Sequence, residues 1–252
     1  MAIIESIFRE YDIRGEYPNQ INEDVVKKIG FAISHKCIDS GIDEICVGRD
    51  GRISGKSLLD ALIEGIIESG INVLNIDLAT SPLLYYAAKK NKNKSGVMIT
   101  GSHNPKNHNG IKLVINDNPV SGKEILALIN QDKPSSNSIG NVKEINIKDS
   151  YIKEVVDSSK INKNIKVVID CGNGAAGFIA PELYKKLGCE VIELFSEVDG
   201  NFPNHHPDPG KIDNLKDLIN EVRKQKADLG LAFDGDGDRV GLVTDKGEVV
   251  FP

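Results

Sequence analysis

The sequence predicts an α/β protein built as two layered domains. Apolar runs of strand length alternate with amphipathic stretches of helix length along most of the chain. A segment rich in Ser, Asn and Pro, NQDKPSSNSIGN at 130–141, interrupts that rhythm and reads as a linker. The rhythm then resumes, and 252 residues suffice for two ordinary domains with real cores.

Taken in order, EICVG (44–48) reads as a strand and SLLDALIEGIIESG (57–70) as an amphipathic helix closed by Gly70. NVLNIDL (72–78) is a strand, SPLLYYAAKKN (81–91) a helix and GVMIT (96–100) a strand. GIKLVIN (110–116) is another strand, and a helix is expected near 121–130. Strands that alternate with helices in this way indicate an α/β layered domain. Past the linker come a helix at 149–160, the strand KVVID (166–170), a helix around 181–188 and the strand EVIELF (190–195). A Pro-rich loop, DGNFPNHHPDPG (199–210), precedes a helix at 214–227. The strands LGLAF (229–233) and VGLVTD (240–245) close the series.

Composition narrows the functions. With 40% hydrophobic and 27% charged residues the chain reads as soluble and globular. A net charge of −6 and a pI near 5.5 argue against nucleic acid or an anionic membrane as partner. No signal peptide or membrane span is expected. The four cysteines form no CxxC or Cys/His cluster, which fits reduced thiols in a cytoplasm.

Chemistry concentrates in loops. DGDGDR (234–239) sets three aspartates at alternate positions. Carboxylates about 4 Å apart at an effective dielectric near 20 repel by about 4 kcal/mol per pair. Open water or a bound cation could offset that. Gly and Asp are poor strand formers, so a continuous strand is not expected. An EF-hand is excluded because Arg239 and Asp245 stand where it needs Gly and Glu. A tight loop converging Asp234, Asp236 and Asp238 on Mg²⁺ or a similar hard cation is the reading taken over a solvated turn.

In VMITGSHNPKNHNGIKLV (97–114), Ser102 adjoins His103 without a GxSxG elbow, so acyl transfer is not indicated. An Asn-Pro turn is the bland alternative. Ser102 with Lys112 a short loop later could instead carry a phosphoryl group. Arginines in the Gly-containing loops YDIRG, GRDGRISG and DGDGDR suit phosphate, though ordinary loop salt bridges would place them there too. GNGAAG (172–177) and DGRISGKS (50–57) imitate nucleotide loops, yet Asp170 and Asp50 put carboxylates where phosphates would approach. His205 and His206 read as parts of a Pro-stiffened loop.

Together YDIRG, VGRDGRISG, TGSHNPKNHNGIKL, DGNFPNHHPDPG and LAFDGDGDRVG resemble the α-D-phosphohexomutase superfamily, most closely its bacterial phosphomannomutase/phosphoglucomutase branch. The motifs stand in family order and span almost the whole chain. The resemblance implies two three-layer α/β/α domains with mixed sheets: domain I over 1–140 with the phosphoserine loop and domain II over 141–252 with the metal loop. The family's third and fourth domains are expected to be absent.

It further implies that Ser102 is the phosphoserine and that Asp234, Asp236 and Asp238 bind Mg²⁺, with a phosphoserine oxygen completing the site. Arg14 and Arg239 would assist the transferring phosphate, Lys112 would act in acid–base transfer, and His103 would order the serine loop. Tyr11 and Arg14 would bind substrate. The implied reaction interconverts mannose or glucose 1- and 6-phosphates through a hexose 1,6-bisphosphate, in a cytoplasmic monomer with a phosphosugar as its partner. The competing expectations are a non-catalytic metal- or phosphosugar-binding module and, more remotely, a P-loop nucleotide-binding protein.

Overall fold

The structure, a computed structural model, describes residues 3–136, 138–161 and 164–250. Two mixed sheets organise it. The first contains β1 (Ile13–Glu16), β2 (Glu44–Arg49), β3 (Asn72–Leu78), β4 (Gly96–Ile99), β5 (His108–Ile115), β6 (Asn118–Pro119) and β7 (Val142–Glu144). Its order is β1-β5-β4-β2-β3-β7, with β6 paired to β5. β4, β2, β3 and β7 run parallel, while β1 and β5 pair antiparallel at one side.

Helices cover both faces of this sheet because its central strands are apolar on both sides. Ile45, Val47, Val97 and Ile99 point into the core shared with α1 (Glu23–Asp39) and α2 (Gly55–Glu68). The alternate residues Cys46 and Met98 face α3 (Ser81–Lys90) through Leu83, Leu84 and Ala87. A short helix, α4 (Gly122–Leu126), carries a capping box between Ser121 and Glu124. Each fully buried aliphatic side chain contributes about 1.5–3 kcal/mol relative to exposure, so neither face could be left bare.

The second sheet contains β8 (Lys166–Asp170), β9 (Glu190–Leu194), β10 (Leu229–Phe233), β11 (Val240–Thr244) and β12 (Val249–Val250), in the order β12-β11-β10-β8-β9. β10, β8 and β9 are parallel, and β11 and β12 are antiparallel additions. Val168 meets α7 (Lys216–Gln225), and its neighbours Val167 and Ile169 meet the side of α6 (Ala180–Lys186).

The expected linker, 130–141, holds no helix or strand among its described residues. The crossing between the sheets nevertheless falls later than residue 140. Val142–Glu144 adds to the first sheet by pairing with Val73–Asn75. Ile152 of α5 (Lys148–Ser158) then shares a core with Met98 and Leu83, so the two halves are joined by buried apolar contact.

Topology places the chemistry. In the first sheet the chain moves from β2 outward to β3 and returns to β4 on the other side of β2. In the second it moves from β8 to β9 and returns to β10 on the other side of β8. Each reversal opens a crevice at the carboxyl ends of parallel strands, where ligands bind in open α/β sheets. Asp50 and Thr100–Ser102 leave the first crevice, and Asp170 and Asp234 leave the second. The two crevices face each other.

Candidate active site

Ser102 leaves β4 with φ 48°, the left-handed region, and its side chain is buried. A residue with a Cβ holds that conformation only when its surroundings impose it. Here the Ser102 N–H donates to Thr100 Oγ1 at 2.8 Å. The Ser102 hydroxyl donates to Asp234 Oδ2 at 2.7 Å and lies 3.3 Å from His103 Nδ1. The serine loop and the aspartate loop touch backbone to backbone. A Cβ on Gly235 would stand 2.3 Å from the Ser102 carbonyl oxygen, so no other residue fits there.

The aspartates converge as expected. Asp234, Asp236 and Asp238 each bring a carboxylate oxygen within 4.8 Å of the others. Asp234 Oδ1 accepts the N–H groups of Asp238 and Arg239, at 3.1 and 3.0 Å, which closes the loop on itself. Asp236 Oδ2 accepts from Ser81 Oγ at 2.6 Å and from Lys112 Nζ at 2.7 Å. Asp236 Oδ1 is buried with no hydrogen-bond partner among the described residues.

Electrostatics follow from this crowding. Burial and then the Asp236 charge push the Asp234 carboxyl up to about 7. Burial would raise Asp236 too, but the Lys112 ammonium overrides it and holds that carboxyl down at about 2. Lys112 itself would be lowered by burial, yet Asp236 and Asp238 carry it upward, so it is an ammonium here. Three hard oxygen donors and one orphaned buried carboxylate oxygen fit a divalent cation.

A cavity of about 320 Å³ opens onto these groups. Arg14 lines it with three N–H groups already committed, two to Asp12 and one to the Thr100 carbonyl. Arg239 lines it exposed, and its guanidinium makes no hydrogen bond or ion pair among the described residues. Tyr11 stands at the rim, 86% exposed. Burial and the nearby Arg239 lower the His103 pKa below its ordinary 6.5, leaving a neutral imidazole at pH 7. Thus Ser102, His103, Lys112, Arg14, Tyr11 and Arg239 line one cavity, with Asp238 of the acidic loop.

The chain matches the family described as phosphoglucomutase/phosphomannomutase, alpha/beta/alpha domain I, over residues 5–135 and domain II over residues 149–247. It belongs to the phosphoglucomutase/phosphomannomutase family. It is 51% identical over 253 residues to a phosphomannomutase/phosphoglucomutase of Pseudomonas putida, a match covering 100% of this chain and 55% of that one. A phosphoglucomutase of Neisseria gonorrhoeae is 46% identical, with the same coverage of 100% and 55%. A crystal structure of a phosphoglucomutase/phosphomannomutase family protein from Burkholderia thailandensis superimposes with a TM-score of 0.96 at 38% identity, over 100% of this chain and 57% of that one. The chain therefore spans about half the length of the curated relatives it matches.

Other groups at this site are not legible in the sequence, or act differently from what it suggests. Arg49 and Arg52, read as phosphate-suited arginines, do not line this cavity. Arg49 pairs with Asp77 at 2.8 Å, and Arg52 is buried against backbone carbonyls of the serine loop. The sequence places Ser81 at a helix start, where Pro82 follows it, but carries no sign of its bond to Asp236. The histidines of the Pro-rich loop do more than stiffen it. His205 Nε2 pairs with Asp170 Oδ2 at 2.9 Å, and His206 Nε2 bonds the His103 carbonyl at 2.5 Å.

The two nucleotide-loop imitations have local structures of their own. Lys56 sits exposed on Asp60, and Gly172–Gly177 leads into a 3₁₀ turn at Ala175–Phe178 ahead of α6. Among the described residues no helix is long and apolar enough to cross a membrane. The cysteines are free, and burial pushes the thiols of Cys37, Cys46 and Cys171 up to about 12.

Proposed function

We propose that this chain is the phosphoserine- and metal-bearing half of a phosphohexomutase. Phosphorylated Ser102 gives its phosphoryl group to a hexose 1- or 6-phosphate, and the resulting 1,6-bisphosphate returns its other phosphate after reorienting. Mannose and glucose phosphates are the substrates suggested by the names of the relatives. One observation carries the reading: the Ser102 hydroxyl donates to Asp234 Oδ2 at 2.7 Å inside a cluster of three carboxylates. An anionic phosphoserine there is tenable only if those charges are balanced.

Asp234, Asp236, Asp238 and a phosphoserine oxygen would hold Mg²⁺, which when bound supplies positive charge to the phosphoryl oxygens. The remaining work belongs to the chain. In the forward step the sugar hydroxyl oxygen bonds to phosphorus, the bond from phosphorus to Ser102 Oγ breaks, and the electron pair stays on Oγ. Lys112, as an ammonium, would donate a proton to the departing Oγ and, neutral once it has done so, take up the hydroxyl proton, so the step balances without redox. Arg14, Arg239 and Tyr11 line the cavity that would receive the phosphosugar, and His103 beside Oγ orders the loop. The boundary between domain I, expected over 1–140, and domain II, expected over 141–252, we place after Val142–Glu144, which still pairs with the first sheet, and we take the protein to be a cytoplasmic monomer.

Mass spectrometry after incubation with glucose 1,6-bisphosphate and Mg²⁺ tests this. One phosphate on Ser102, absent in Ser102→Ala, is expected. A wild-type protein that binds the cation but never takes the phosphate overturns catalysis in favour of a binding module.

A further inference from the structure

We propose that Arg52 is a positioning residue for phosphoryl transfer at Ser102, an inference resting on the mutase reading above. Its side chain is fully buried and every N–H of its guanidinium is spent. Nη2 donates to the carbonyls of Ser102 and Asn104, both at 2.7 Å. Nη1 donates to those of Pro105 at 2.6 Å and His108 at 2.8 Å. Nε donates to Asp50 Oδ2 at 3.2 Å. One planar fork thus gathers four carbonyls of the serine loop, which a lysine ammonium cannot span.

Asp50 holds the other side of the same loop. Its Oδ2 also accepts the Gly101 N–H at 3.0 Å and lies 2.8 Å from Thr100 Oγ1. Gly101 is required by this arginine, since a Cβ there would stand 2.0 Å from Arg52 Cζ. The second domain closes the nest by laying the Phe202 ring 5.4 Å from the guanidinium carbon.

With its carbonyl tied to Arg52 and its N–H to Thr100, Ser102 cannot leave the left-handed conformation that aims Oγ at Asp234. Arg52 therefore acts on the alignment of the phosphoryl group and leaves the sugar untouched. Its loss should appear in kcat and spare KM.

The experiment combines single-turnover phosphorylation of Ser102 by glucose 1,6-bisphosphate with hydrogen exchange in wild type, Arg52→Lys, Arg52→Ala and Gly101→Ala. Gly101→Ala displaces the arginine with one methyl and serves if Arg52→Lys does not fold. Expected in folded variants is a rate at least about 100-fold lower, with half-saturation changed less than about 3-fold. Exchange protection should fall across 101–108 and persist across 229–240. Guanidinium ion, added below denaturing concentration, should partly restore the rate in Arg52→Ala. A variant rate within about 3-fold of wild type, or unchanged protection of 101–108, overturns the proposal. If wild type takes no phosphate at all, the mutase reading fails, and the exchange result alone still decides whether Arg52 holds the loop.

Discussion

Lys112 Nζ lies 2.7 Å from Asp236 Oδ2, so a lysine of the first sheet neutralises a carboxylate of the second. The same ammonium bonds Asp238 at 2.5 Å. It stands where the positive charge of a bound cation would also act, and the two should compete. Lys112→Met is expected to tighten Mn²⁺ binding by about tenfold, the equivalent of 1.4 kcal/mol in a partly screened site. Asp236→Asn should abolish it. Titration calorimetry reads both, and weaker Mn²⁺ binding in Lys112→Met would contradict the competition.

The left-handed backbone of Ser102 separates two deletions of its hydroxyl. Both Ser102→Ala and Ser102→Gly should lose all phosphate uptake. Glycine adopts φ 48° freely whereas alanine keeps the steric penalty, so Ser102→Gly should be the more stable by about 1 kcal/mol. Urea melts of the two variants check this. Equal midpoints would mean that the loop relaxes once the hydroxyl is gone.

His205 gives stability a pH dependence. Its ring nitrogens face the Asp170 carboxylate and the His206 carbonyl, so both are donors in the charged form. Burial opposes protonation, but the Asp170 hydrogen bond and charge prevail and raise the pKa above the ordinary 6.5. A raised folded pKa contributes stability fully present below 6.5 and lost as pH climbs through the raised value. Wild type should exceed His205→Gln by about 2 kcal/mol near pH 6 and by clearly less near pH 8.5. A stability difference that does not change between those pH values would refute it.

A protein of these 252 residues by themselves should turn over phosphosugar poorly. Contacts that orient a sugar hydroxyl can supply about 7–11 kcal/mol of barrier reduction, and much of that comes from gripping the non-reacting phosphate. In this family those contacts are expected from domains beyond the two matched here. A coupled mutase assay beside the Pseudomonas putida relative compares them directly. Similar kcat/KM values would place the whole sugar site within these two domains.

Strands and site differ in how far the sequence exposes them. KVVID and LGLAF coincide with β8 and β10 because a strand buried on both faces is a continuous apolar run. Helix α1 is as legible as the elements named above, since Val25, Ile29, Ile33 and Cys37 recur at helical spacing with lysines between them. The signal was present in the Asn22 cap, which accepts the Val25 N–H, and in Glu23 and Asp24 of the first turn. The short edge strands β1, β6, β7 and β12 are defined by their partners more than by their own residues. At the site, Ser102 and the aspartates stand out because their motifs are local. Ser81, Asp50 and His205 act on residues 155, 50 and 35 positions away, distances at which no local pattern operates.

Ser102 and the carboxylate it faces lie 132 residues apart, on different sheets. During synthesis the first sheet, serine loop included, can be complete before any of the aspartates has left the ribosome. Until the second sheet docks, the Ser102 hydroxyl lacks the Asp234 carboxylate to which it donates, so this pair is assembled only once both sheets are present.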